Sequence, residues 1–233
     1  MPSTIENYAL PSRLYRFRKV GSDTSADNVD LERAIESIRR GSCWCGDYKS
    51  LNDAMEGLYE VAGDVAANSG WRRASRMIRD GKQGLGIACF SETWDQALMW
   101  AHYADSFKGV CIEYDFEALR DSLPDATSFS RISYAGRLLD IGSEIEDTNQ
   151  LAKWILSTKH ESWSHEREWR LFAPTGGNVS FDRRAIRRVI LGPRMPQHVA
   201  EHIRHHVRLN LVKRTMIEGY KVVIRDSWAA EEF

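Results

Sequence analysis

Cysteine is scarce in this chain of 233 residues, with four in all, and no paired C-x-x-C spacing appears. Cys43 and Cys45 form a C-x-C pair, while Cys89 and Cys111 lie inside apolar runs of strand length. A zinc ribbon needs paired C-x-x-C, so the four thiols read as small buried hydrophobes. Net charge is missing too: 32 basic against 33 acidic side chains leave −1. General nucleic-acid and membrane-surface binding usually need a strongly basic field, so neither is expected, although a local basic patch is compatible with the balance. No apolar run approaches the roughly 20 residues of a membrane span. Neither G-x-G-x-x-G nor G-x-x-x-x-G-K-[ST] occurs, which removes the familiar phosphate-cradling loops. Met1 to Ala9 has no basic n-region and no apolar h-region, and a cytoplasmic chain is expected.

What is present can build a core, since 42% of the residues are hydrophobic and 28% charged. The length suits one domain over residues 1–233, with its core at about 14–225. Tryptophan is plentiful, with eight copies. Trp94 and Trp100 flank one motif, and Trp154, Trp163 and Trp169 surround another. Such a large ring with a donor of its own often lines clefts.

Leu14 to Phe17 reads as a first strand, followed by a polar stretch from Gly21 to Asp30. Leu31 to Arg40 has apolar residues at helical spacing (Leu31, Ala34, Ile35, Ile38) and stops at Gly41. Ser42 to Cys45 is strand-like, and Asp47 to Asp53 is rich in turn formers. Ala54 to Asp80 is expected to be mostly helical, Gly86 to Ser91 a strand, and Asp95 to Tyr103 a helical turn. Gly109 to Tyr114 reads as a strand, Phe116 to Leu123 as a short helix, and Ile132 to Tyr134 as an edge strand. Thr148 to Trp163 has helical spacing, while Arg167 to Ala173 and Ala185 to Leu191 read as strands. A helix from Gln197 to Leu209 and a segment from Tyr220 to Arg225 close the chain. Several connections are too short for parallel crossovers. The expected class is α+β, a single domain with a bent mixed or antiparallel sheet flanked by helices.

Four segments could carry chemistry. On the first strand Tyr15 and Phe17 share one face, and Arg16 and Arg18 the other. The arginines are either solvated on an edge or a fork for phosphate or carboxylate. In Ser50-Leu51-Asn52-Asp53, with Glu56, Asp53 suits local capping and Asn52 could reach a ligand. Ser91 sits where a buried strand emerges, with His102 and Tyr103 nearby as a titratable and a stacking group; a core histidine is the competing reading. In Trp163 to Leu171, alternation puts Glu166, Glu168 and Arg170 on one face and Arg167, Trp169 and Leu171 on the other. Two carboxylates and an arginine on a buried face are costly unless paired or used, so this is an ion-pair ladder or a functional cluster. His198, His202 and His205 or His206 fall on one helical stripe, but Arg204 and Arg208 flank it and no further ligand completes a set; no metal is expected.

These segments run L-Y-R-F, S-L-N-D-x-x-E, C-F-S-E-x-x-D-x-x-L-M-W-x-H-Y-A-D-x-x-x-G-V-C-I-E-Y, W-x-x-E-x-E-W-R and V-I-L-G-P. From about Leu14 to Arg225 the pattern resembles the bacterial domain-of-unknown-function family twenty-nine seventy-one, with Ala54 where that family often has proline. The opening strand, helix, Gly41 and short strand are similar to the start of ADP-ribosyltransferase-like toxins. That resemblance implies NAD as substrate without a metal. Arg16 would clamp the pyrophosphate or ribose, Ser42 or Tyr48 would support the site, and Glu168 would stabilise charge as nicotinamide leaves. Glu166 or His102 would orient an acceptor or water, and Trp169 or Tyr103 would stack on a ring. Ser91 and Arg170 complete the expected nucleotide contacts. The implied partners are a nucleotide-like small molecule and an acceptor macromolecule of unknown identity, in a toxin or anti-phage setting. Two alternatives stand beside this. One is a non-catalytic nucleotide- or anion-binding module using Arg16, Arg170 and the tryptophans. The other is a metal-dependent nuclease or hydrolase using Glu92, Asp95, Glu166 and Glu168.

Overall fold

The apolar runs of the sequence become the centre of one eight-stranded sheet. A computed structural model of the protein describes residues 10–25, 27–61, 63, 66, 70–141, 148–207 and 211–225. The strands are β1 (Arg13–Arg18), β2 (Ser42–Cys45), β3 (Tyr59–Val61), β4 (Gly86–Ser91), β5 (Val110–Asp115), β6 (Ser128–Arg131), β7 (Ser133–Ala135), β8 (Leu139–Ile141), β9 (Thr158–His160), β10 (Glu168–Ala173), β11 (Gly177–Ser180), β12 (Ile186–Leu191), β13 (Val212–Glu218) and β14 (Lys221–Arg225). The helices are α1 (Val29–Arg40), α2 (Trp71–Gly84), α3 (Ala97–Tyr103), α4 (Phe116–Asp121), α5 (Thr148–Ile155) and α6 (Gln197–His206).

The main sheet runs in the order β14-β13-β12-β5-β1-β4-β10-β6. Only β12 and β13 pair in parallel within it, and the chain between them passes through α6, as a parallel crossover requires. The class is therefore α+β with a mixed sheet, as the sequence predicts. Among the described residues, three two-stranded pairs stand outside it: β2 with β11, β3 with β8 and β7 with β9. No helix among the described residues is long and apolar enough to cross a membrane.

Local chemistry sets the elements that frame the site. In α1 the Asn28 side chain accepts from the Leu31 N–H at 3.2 Å, and Gly41 closes the helix at φ 67°. The four residues predicted for its inner face are buried against the sheet face that carries Leu14, Phe90, Trp169 and Leu171. The other face packs Tyr15 and Phe17 against Met99 and Trp100 of α3.

Two predicted helices are corrected. Within residues 54–80 the chain turns at Gly57 (φ 73°) and enters β3 instead of running as helix from Ala54; Gly63 and Ala66 are helical, and α2 runs from Trp71 to Gly84. Part of that segment lies outside the described residues. The helix predicted from Thr148 ends at Ile155; the chain then forms β9, with Lys159 turned inward, and a 3-10 turn from Glu161 to Glu166. Buried charge pairing overrides helical spacing there. The predicted edge strand at Ile132 becomes β7, which pairs β9. Met1 to Ala9 and the last residues of the Gln197–Leu209 helix lie outside the described residues.

Candidate functional site

β1 and β4 touch at one rung, Tyr15 opposite Ser91, and part beyond it. Gly46, just past β2, occupies the gap at its far end: its N–H donates to Ile87 O at 2.9 Å, and Ile87 N–H donates back at 2.7 Å. Between these two points opens a cleft of about 550 Å³. Arg16 and Arg18 line it from β1 with Lys19 just past the strand, Cys89, Phe90 and Ser91 from β4, and Met99 and Tyr103 from α3. At its base lie Glu56, Lys159, Glu166, Glu168 and Arg170.

That base is a closed charge network. Arg170 is fully buried and uses all five of its N–H donors. Its fork grips Glu56 at 2.5 and 2.8 Å, reaches Glu168 at 2.6 and 3.1 Å, and donates to Leu156 O at 2.7 Å. Lys159 donates to Glu166 at 2.6 Å and Glu168 at 3.2 Å, and its ammonium lies 4.7 Å from the Trp163 ring centroid. The Tyr103 hydroxyl donates to the second oxygen of Glu166 at 2.6 Å, and Asn52 lies 3.5 Å behind it. Three carboxylates thus face two cations. Burial alone would raise the Glu168 carboxyl, but Arg170 and Lys159 outweigh it and hold it below the usual range. Burial would lower the Lys159 ammonium, yet Glu168 and Glu166 push it up to about 12. Glu56 moves the other way: burial raises it despite the Arg170 fork. Burial, then the Glu166 charge, also raises the Tyr103 phenol.

Backbone devices fix this arrangement. Arg167 sits in the left-handed region at φ 44°, which ends the 3-10 turn and lets Glu166 join the face of Glu168 and Arg170 without itself being on the strand. The Ser91 hydroxyl donates to Glu166 O at 2.7 Å, and the Tyr134 hydroxyl accepts from Glu168 N–H at 2.9 Å. Lys82 donates to Gly57 O at 2.8 Å between the rings of Tyr48 and Tyr59, pinning the turn that delivers Glu56.

The structure therefore brings Arg16, Ser91, Tyr103, Glu166, Glu168 and Arg170 to one cleft, and three predicted site residues fall elsewhere. Trp169 points to the opposite sheet face, where it packs on Phe116 and donates to Glu92 at 2.8 Å. Strand alternation already required that. His102 is exposed on α3 with its ring 6.5 Å from Trp163, and it does not line the cleft. Tyr48 is taken by Lys82, and Ser42 lies in β2 opposite Ser180. Glu92 is committed to Trp169 and Arg131, and Asp95 accepts from Thr93. Neither lines the cleft, and no group of three or more His, Cys, Asp or Glu among the described residues could hold a metal ion. Asp53 accepts from Met55 N–H at 2.9 Å, the local capping expected of it. The histidine stripe is split between partners: His198 on Ser22 O, His202 near Glu32, and His206 on His202 O. Sequence reasoning missed Lys159, which it placed in a helix, and gave Glu56 no cationic partner. It also took Trp44 only as part of a strand.

No curated protein and no solved structure matches the chain. Residues 99–171, which carry Tyr103, Lys159 and the whole Glu166 to Arg170 segment, match the family described as Protein of unknown function (DUF2971).

Proposed function

We propose that this chain is an ADP-ribosyltransferase-like enzyme that splits NAD and transfers ADP-ribose to an acceptor. The observation that carries the reading is that Arg16 and Glu168, which alternation would send to opposite sheet faces, line the same cleft because β1 and β4 part. Arg16 binds the diphosphate through charge-assisted hydrogen bonds. Ser91, in register with both Tyr15 and Glu168, takes the supporting position between the two walls instead of Tyr48 or Ser42. As the bond from ribose to nicotinamide breaks, nicotinamide leaves with the electron pair, and the anionic Glu168 stabilises the positive charge left on the ribose. An acceptor X–H then forms the new bond to that carbon, and Glu166 orients it and takes its proton. Of the two rings expected to stack, Tyr103 lines the cleft and Trp169 does not, and with His102 also outside it the orienting role falls to Glu166.

The test is nicotinamide release from NAD, with candidate protein and nucleic-acid acceptors, by the wild type and by Glu168→Gln. Release that falls about 100-fold or more in the variant is the expected result for loss of a charge aimed at the transition state. No release with any acceptor, or an unchanged rate in Glu168→Gln, overturns the proposal. One observation favours a second reading, a non-catalytic nucleotide- or anion-binding module: both Glu168 oxygens already accept from Arg170 or Lys159. Such a module gains thermal stability with the nucleotide and turns over nothing.

A further inference from the structure

Trp44 stands at the lip of the cleft with 56% of its surface exposed, although its strand neighbours Cys43 and Cys45 are buried in the core. Alternation along β2 drives the indole outward. The ring lies beside the turn that follows: a Cβ on Gly46, itself a lining residue, would stand 3.7 Å from the indole nitrogen and 2.8 Å from Ser50 Oγ. The backbone carbonyl of Trp44 accepts from Arg16 Nη2 at 2.7 Å. That bond holds the guanidinium against the same residue and 5.7 Å from the Phe90 ring centroid. Arg16 Nη1 is buried and has no hydrogen-bond partner among the described residues. An exposed apolar ring thus adjoins a fixed cation that has a donor to spare. A ligand that satisfies both carries a flat ring system joined to an anionic group.

We propose that Trp44 is the stacking platform for the purine base of a nucleotide whose phosphate is held by Arg16. This rests on the nucleotide reading of the cleft and deepens it by assigning the two ends of the ligand. The adenine half lies towards Trp44 and β1, which leaves the nicotinamide half nearer Glu166 and Glu168. Stacking on an aromatic side chain uses the face of the base and not its edge, so the platform tolerates any purine.

The experiment is isothermal titration of ADP and of nicotinamide mononucleotide into the wild type, Trp44→Ala and Trp44→Phe. Removing the ring weakens ADP by about 5- to 150-fold, the range seen when a base loses its stacking partner. Trp44→Phe keeps most of the affinity, and nicotinamide mononucleotide, which has no purine, binds all three alike. ADP affinity in Trp44→Ala within about twofold of wild type overturns the platform and leaves the NAD reading standing. Loss of ADP binding in Trp44→Ala with no nicotinamide release by the wild type supports the platform and removes the transferase. If the wild type binds neither ADP nor NAD, both proposals fall.

Discussion

Replacing Lys159 with methionine tests the charge network directly. The side chain is 4% exposed and lies within 3.9 Å of all three carboxylates. Methionine keeps most of the volume and the contact with Trp163, so the change is chiefly one of charge. It leaves Glu56, Glu166 and Glu168 sharing the single cation of Arg170. Stranding a buried charge in this way costs about 3–5 kcal/mol. For a chain of this size each kcal/mol moves Tm by about 2–4 °C, so Tm falls by about 6–20 °C. The double variant Lys159→Met/Glu166→Gln removes one of the stranded charges and regains at least about 1 kcal/mol, as contacting buried partners do. The pH profile carries the sign. Glu168 is held below its ordinary value, so its contribution is present above the unfolded carboxylate pKa and is lost as pH falls through the folded one. Lys159 is pushed up to about 12, so its contribution is full below its ordinary value of 10.5 and is lost as pH rises through about 12. The deficit of Lys159→Met is therefore largest near neutral pH and shrinks in acid, where the stranded carboxylates take up protons. Thermal and urea denaturation between pH 4 and 9 measure it. A Tm within about 2 °C of wild type at pH 7, with an unchanged urea slope, refutes the reasoning.

Further outcomes follow from the backbone. Arg167 is exposed and holds φ 44°, so Arg167→Gly relieves left-handed strain and stabilises by about 0.5–1 kcal/mol in urea melts, whereas Arg167→Val destabilises. A Cβ on Gly192 would sit 2.1 Å from the backbone oxygen of Phe107, so Gly192→Ala costs about 2 kcal/mol or more and lowers Tm measurably. Because Phe107 follows α3 closely, that variant also shifts the near-ultraviolet signal of Trp100, whose carbonyl accepts from Phe107 N–H at 3.1 Å.

Local chemistry in the sequence accounts for α1 from Leu31 to its stop at Gly41, because every signal there acts within a few residues. The Glu166, Glu168 and Arg170 face was legible by alternation, although Glu166 reaches it through the left-handed Arg167, which alternation does not foresee. The partners of that face were not legible. Glu56 lies 114 residues from Arg170, and nothing near either residue announces the pair. Lys159 looked like the polar side of a helix, since a buried ammonium differs from a solvated one only in the carboxylates that surround it. Trp169 was misassigned for a simpler reason: a tryptophan among charges suggests a cleft, yet its neighbours in the strand fix which side it occupies.

The single rung between β1 and β4 divides the main sheet into a five-stranded leaf, β14 to β1, and a three-stranded leaf, β4, β10 and β6. Ladder bonds make each leaf cooperative within itself, while the Tyr15–Ser91 rung, the Gly46 wedge and the side chains at the cleft couple the two. Amide protons in β10 and in β5 then exchange with solvent through separate openings, each with its own free energy. A molecule that bridges Arg16 and the carboxylates ties the leaves together, and its binding registers as slowed exchange on both sides of the seam at once.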